Sequence, residues 1–168
     1  VVGKVGRGPS TQGRGVSADE QYTHITLGSI LGSPLLIGCD MAELDDFTLN
    51  LLCNSEVIDV NQDELGWQAS RIYGDDSYAT YLKPLADGTV AVAMFNLSSE
   101  PKKIGFIPRS LGVIGSQVIR DLWRQKDICT CGYHERWETE VAPHGCVFVK
   151  LTPVQKNFVP EGFDKNIK

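Results

Sequence analysis

The sequence has no apolar run long enough to cross a membrane. Its longest runs, residues 35–37 and 90–95, fall far short of the roughly 20 residues a spanning helix needs, so no membrane partner is expected. It has no basic tract either. Lys and Arg total 16 against 21 Asp and Glu, for a net charge of −5. Nucleic acid calls for a concentrated positive surface, so no nucleic-acid partner is expected. An even set of cysteines is also missing. The five thiols, Cys39, Cys53, Cys129, Cys131 and Cys146, cannot all pair within the chain, and reduced core cysteine is the default. The chain opens Val1-Val2-Gly3 without an initiator Met, a basic leader or an apolar leader core, which reads as a processed chain or a piece of a longer one. No internal repeat is visible.

What is present describes a folded, mixed chain. With 168 residues, 42% hydrophobic and 22% charged, there is enough for one globular core or two small ones, and disorder, collagen and coiled coil are excluded. Residues 3–15 form a glycine-rich loop behind two β-branched residues that resemble a strand tail. Ser17-Ala18-Asp19-Glu20 is a capping box, followed by spaced apolar residues from Tyr22 to Leu31, and Gly32 and Pro34 stop that helix. Residues 34–39 are a continuous apolar run, the pattern of a strand buried on both faces of a parallel sheet. Asp45 can cap a second helix, in which Phe47, Leu49, Leu51, Leu52 and Cys53 give an apolar face. Strand tail, helix, strand and helix make a βαβα unit, too small to cover both faces of its own sheet, so residues 1–66 look like the end of a larger α/β domain.

Beyond Gly66 the period becomes two. Residues 77–82, 89–95, 102–107, 117–123, 133–140 and 146–151 read as strands, with Asp87-Gly88 as a hairpin turn, which indicates an antiparallel β-sandwich over residues 67–155. Residues 156–168 read as a tail.

The candidate chemistry is sparse. The loop bearing Lys4, Arg7 and Arg14 matches neither phosphate-binding glycine motif, and reads as an ordinary surface loop or as a long loop at the carboxyl end of a strand, where barrel enzymes place their sites. Cys129-x-Cys131 with His134 has some look of a metal set. Zinc favours wider cysteine spacing and a fourth ligand, which Cys146 or His144 would have to bring from another strand; no metal and no cofactor are assigned. Asp45-Asp46, Asp75-Asp76 and Asn61-Gln62-Asp63 suit caps and turns. Asp40 follows the buried run at its carboxyl end, either a functional position or a structural acid. Trp67, Trp123 and Trp137 read as core or interface aromatics, and Asn96-Leu97-Ser98 is a glycosylation sequon.

Three blocks resemble a known family: Ser33-Pro-Leu-Leu-Ile-Gly-Cys-Asp-Met41, Thr48-Leu-Asn-Leu-Leu-Cys-Asn54 and Glu56-Val-Ile-Asp-Val-Asn-Gln-Asp-Glu-Leu-Gly66. Together with Asp19-Glu-Gln-Tyr-Thr-His24 and, more weakly, Leu85 through Asn96, Val118 through Trp123 and His144 through Val147, they are similar to the melibiase-type α-galactosidases, glycoside hydrolase family 27. The resemblance implies a (β/α)8 barrel followed by an antiparallel β-domain, with Asp45 to Asn54 as the eighth barrel helix. It implies a retaining hydrolase using two aspartates about 5 Å apart, both upstream of residue 1 here, so no catalytic residue is carried over. An α-galactoside sugar would be the partner of the whole barrel. Arg7 and Asp40 become pocket-rim residues, and Gln62 and Asp63 a structural turn joining the two domains. Gly28 stands where the family commonly has Trp. Extracellular, periplasmic or lysosomal placement follows from the resemblance alone. Two other readings are a non-enzymatic carbohydrate-binding or structural β-sandwich module, and a relative acting on α-N-acetylgalactosaminides or β-L-arabinopyranosides.

Overall fold

Side-chain caps set where each helix begins. The structure is a computed structural model that describes residues 16–36 and 41–154. Ser17 Oγ accepts from the Glu20 amide at 3.2 Å while Glu20 Oε2 accepts from the Ser17 amide at 2.7 Å, and α1 runs from there over Ala18–Ile30. Gly32, at φ +65°, supplies the left-handed residue that ends it. A 3-10 turn at Met41–Glu43 precedes α2, Asp46–Leu52, whose Thr48 amide is bound by Asp45 Oδ1 at 2.8 Å.

The second helix does not reach Asn54. Asn54 turns its Oδ1 to the Val57 amide at 3.2 Å and opens a separate helix, α3, Ser55–Asn61. The same amide group donates Nδ2 to the carbonyls of Leu122 and Trp123 at 3.0 and 3.2 Å, so one buried side chain both breaks the helical run and ties it to the sheet.

Among the described residues eight strands follow, where the alternation alone yields six: β1 Ser70–Gly74, β2 Tyr78–Pro84, β3 Val90–Asn96, β4 Lys102–Phe106, β5 Gln117–Asp121, β6 Lys126–Cys131, β7 Trp137–Val141 and β8 Cys146–Pro153. They form a six-stranded sheet in the order β1-β2-β3-β8-β5-β6 and a two-stranded sheet β4-β7, with every neighbouring pair antiparallel. The two additional strands, β1 and β6, are the edges of the larger sheet and are mostly exposed, so neither shows the alternation that marks a half-buried strand. The strand expected from residue 133 begins at Trp137, because residues 132–135 close a turn in which Glu135 Oε2 accepts from the Gly132 amide at 2.9 Å. The connection after β2 spans residues 85–89 rather than two residues, with Gly88 at φ +82°.

Three layers result. On one face of the six-stranded sheet, Ala91, Ala93, Phe95 and Phe148 pack against Ile25, Ile30, Leu51, Val57 and Val60 of the helices. On the other face, Val92, Met94, Ile119, Val149 and Leu151 pack against Ile104, Phe106 and Val141 of the two-stranded sheet. The period-two alternation along β3 feeds both cores, which is why nearly the whole strand is buried.

The buried parallel strand expected over residues 34–39 is not seen where the chain is described. Residues 34–36 belong to no strand and Leu36 is 90% exposed; residues 37–40 lie outside the described residues. A fully apolar strand needs parallel neighbours on both edges and layers on both faces, and no parallel pair occurs among the described residues. The glycine-rich loop and the tail from residue 156 also lie outside the described residues.

Candidate functional site

Of the four residues singled out from the sequence, Arg7 and Asp40 lie outside the described residues. Gln62 and Asp63 follow α3 directly. Gln62 is its C-cap, donating its amide to the Ile58 carbonyl at 2.9 Å, and its side chain is exposed. Asp63 holds the Leu65 amide at 3.2 Å through Oδ1 and the Ala86 amide through both oxygens, at 3.2 and 3.0 Å. One carboxylate thus fastens the chain leaving the helices to the turn between β2 and β3. Because the site is partly solvated, water can replace the lost acceptor. Asp63→Ala is expected to cost about 1 kcal/mol in a urea melt, and a change above about 3 kcal/mol would contradict this account.

Behind that carboxylate lies a residue that sequence reasoning missed. Lys83 sits on β2 in the inward register of Tyr81 and Ala79, opposite Ala91, and is 0% exposed. Its ammonium donates to the Val60 carbonyl in the last turn of α3, where unpaired carbonyls and the negative end of the helix dipole gather. A methyl group at Gly32, the end of α1, would stand 3.9 Å from Nζ. Burial pulls the Lys83 pKa below the ordinary lysine value, and Asp63 offsets part of that shift. Strict alternation along β2 was the only available clue, since it aims residue 83 at the helices.

Asp63 also lines an open cleft of about 570 Å³ with Glu56, Asp59, Glu64 and Asp87. Five carboxylates in one cleft invite comparison with an acid/base pair, but three already have donors. Asp63 holds the amides above. Glu56 grips Arg120 through two bonds of 2.8 and 2.9 Å. Asp87 is raised by burial but lowered further by the Thr89 hydroxyl and amide, at 2.5 and 2.9 Å, and ends below the usual carboxylate range. A general acid must hold its proton near neutrality, and the carboxylates with a resolved shift, Glu20, Asp75 and Asp87, all move downward. Asp87, the cleft carboxylate with a resolved shift, is thus moved away from what a general acid needs.

The other candidates resolve into structural parts. Cys129 and Cys131 lie on edge strand β6 with free thiols pushed upward in pKa by burial and by Glu135, and no metal-holding group occurs among the described residues. Cys146, facing Thr26 Oγ1 at 3.3 Å, is pushed up to about 11 by burial, so it remains an un-ionised thiol near neutrality. Trp123 donates Nε1 to Thr26 Oγ1 at 2.9 Å and packs edge-on to Tyr22 at 4.8 Å, and Trp137 leans on Phe106 at 5.2 Å, so both are interface aromatics. Trp67 departs from that reading at 56% exposed, just beyond the Gly66 turn at φ +62°. Asp45 caps α2 and Asp75 organises the turn into β2, accepting from the Ser77 amide and hydroxyl at 2.6 Å each. Asn96 of the sequon is 2% exposed, with its Nδ2 shared among three carbonyls.

The two packed antiparallel sheets are a β-sandwich. Residues 75–151 match the alpha galactosidase C-terminal beta sandwich domain. This part of the chain is a melibiase-type C-terminal domain. A Dictyostelium discoideum protein named "Probable alpha-galactosidase" is 38% identical to this chain over 145 residues, covering 83% of this chain and 37% of that protein. Among solved structures, a GH27 β-L-arabinopyranosidase from Geobacillus stearothermophilus superposes with a TM-score of 0.77 at 32% identity, covering 83% of this chain and 31% of that one. α-Galactosidase I from Mortierella vinacea gives a TM-score of 0.75 at 27% identity, covering 82% and 36%. The chain thus spans about a third of the length of the relatives it matches.

Proposed function

We propose that this chain is the C-terminal part of a retaining α-galactosidase-like glycoside hydrolase that removes terminal α-galactosyl residues, and that it contributes no catalytic carboxylate. Residues 1–66 then belong to the end of the barrel, residues 67–155 to the β-domain, and Gln62 and Asp63 to the turn between them. The observation that carries this reading is the reach of the likeness. An alignment of 145 residues cannot fit beyond position 66, so it includes the helical layer as well as the sandwich. A detached β-sandwich module would share only the β part.

In this reading the chain's work is mechanical. The helices bury one face of the six-stranded sheet, and Asn54, Asp63, Lys83 and the Glu56–Arg120 pair lock the two parts together. That rigidity would hold the last barrel elements, with Arg7 and Asp40 at the rim of the sugar pocket, against the carboxylates supplied by the rest of the barrel. A retaining mechanism needs two carboxyl groups about 5 Å apart, one as nucleophile and one as acid/base. The Geobacillus relative acts on β-L-arabinopyranosides, so that sugar is the first alternative specificity within the family.

The test has two arms. Purified residues 1–168 should give no turnover of an aryl α-galactoside. A chimera in which these residues replace the matching part of the Dictyostelium protein should hydrolyse it. Turnover by the purified chain alone, or a folded but inactive chimera, would overturn the proposal.

A further inference from the structure

On the side of the sandwich away from the helices lies a second cleft, of about 360 Å³, between the β1–β2 hairpin and β4. Its construction is specific. The register of β1 against β2 slips between Arg71 and Tyr73, a bulge of the kind that re-aims side chains at a sheet edge. Ile72 packs into the core beneath, and Tyr73 reaches across to donate its hydroxyl to the Ser110 carbonyl at 3.1 Å. That bond pins an aromatic ring at the cleft wall with its apolar surface partly exposed. Phe106 and Ile104 line the cleft from β4.

The charge lining this cleft is one-sided although the chain is acidic overall. Lys102, Lys103 and Arg136 line it, and no Asp or Glu does. Lys102 is held in place by the Ser77 hydroxyl and lies 5.3 Å from the centre of the Tyr78 ring, leaving two of its three N–H donors without a hydrogen-bond partner among the described residues. Arg136 gives Nε to Glu138 at 3.0 Å, and its two terminal nitrogens make no hydrogen bond among the described residues. A guanidinium with both terminal nitrogens open is the geometry that grips a carboxylate through two parallel bonds.

We propose that this cleft is an accessory site for a saccharide carrying a carboxylate, such as a uronic acid unit, with the Tyr73 ring against the sugar face and Arg136 and Lys102 on the acid group. Its volume is at the small-ligand end of the usual range, which suits one or two pyranose rings better than the extended groove of a peptide. Lying across the six-stranded sheet from the helices, the site works independently of the barrel and of the α-galactosidase reading.

The whole chain can be titrated by NMR or calorimetry with a short oligogalacturonate, a neutral galacto-oligosaccharide of equal length, and an acidic peptide. The oligogalacturonate is expected to bind with Kd of about 0.1–1 mM and to shift β4 and Tyr73 resonances, while the neutral sugar does not bind measurably. Arg136→Ala should weaken binding about tenfold, as should Tyr73→Leu, while Tyr73→Phe keeps most of the affinity. Circular dichroism and melting temperature confirm that each variant is folded. No binding at about 10 mM, equal binding of the neutral sugar, preference for the acidic peptide, or full affinity in a folded Arg136→Ala variant each overturns the proposal.

Discussion

Lys83→Ala is expected to destabilise the fold by about 2–5 kcal/mol, read from urea denaturation. Two effects add. The substitution removes a four-carbon stem from a fully buried site, and it strips the Val60 carbonyl of its donor at the end of α3. Lys83→Met keeps most of the volume and removes the cost of burying a charge, so it should cost clearly less than the alanine change. An alanine variant within 1 kcal/mol of the parent would sink the idea that this ammonium joins helices to sheet. The pH dependence has a definite sign. Burial lowers the Lys83 pKa in the folded state, so between that value and the ordinary lysine value the unfolded chain binds more protons. Stability contributed by this group therefore rises with pH through the alkaline window and falls as pH drops through the folded pKa. The slope should appear as a difference between the parent and the methionine variant.

Asn96→Ala should cost about 3 kcal/mol or more, the second large effect. Asn96 Nδ2 donates to the carbonyls of Glu100, Val141 and Ala142 at 2.7, 3.0 and 3.2 Å, and Oδ1 accepts from the Ser98 amide and hydroxyl at 3.0 and 2.7 Å. Truncation removes all five of these bonds from a side chain that is 2% exposed, leaving the Glu100 carbonyl with the Ser98 hydroxyl as its one partner among these groups. Asn96→Asp keeps the acceptor but turns a carboxylate oxygen toward three carbonyls, so it should be no better than alanine. The same bonds answer the sequon. A glycan on Nδ2 would need the nitrogen that holds β3 to the turn after β7, so folded protein from a glycosylating host should carry none at Asn96. A stable, folded, modified Asn96 found by mass spectrometry would refute the assignment.

These two residues show why the sequence was legible in some places and silent in others. The caps at Ser17 and Asp45 were readable because a cap is local, needing only an acceptor and an amide three residues on. The alternation of β2, β3, β4, β5 and β8 was readable because those strands line the two cores. Edge strands β1 and β6 lacked it because little of either strand is buried. Asn54 was read as the end of a helix when it starts one, since its Nδ2 partners lie 68 and 69 residues away. Lys83 depends on a contact of the same non-local kind, and Asn96 joins local bonds to Ser98 and Glu100 with distant ones to Val141 and Ala142. The candidate site was legible only in part. Asp63 was picked out, but the Ala86 amide that it holds is 23 residues distant, and the cation-lined cleft is assembled from β1, β2, β4 and the approach to β7.

The strand order carries a consequence for how the molecule comes into being. β8, Cys146–Pro153, lies in the middle of the six-stranded sheet, hydrogen-bonded to β3 on one side and β5 on the other. During synthesis β1–β2–β3 and β5–β6 can form only as two separate pieces, each with an open edge, until the last strand leaves the ribosome and slots between them. Closure of the sheet is therefore a late event built on distant contacts, and until then the nascent chain presents two edges of unpaired backbone N–H and C=O groups to chaperones or to aggregation.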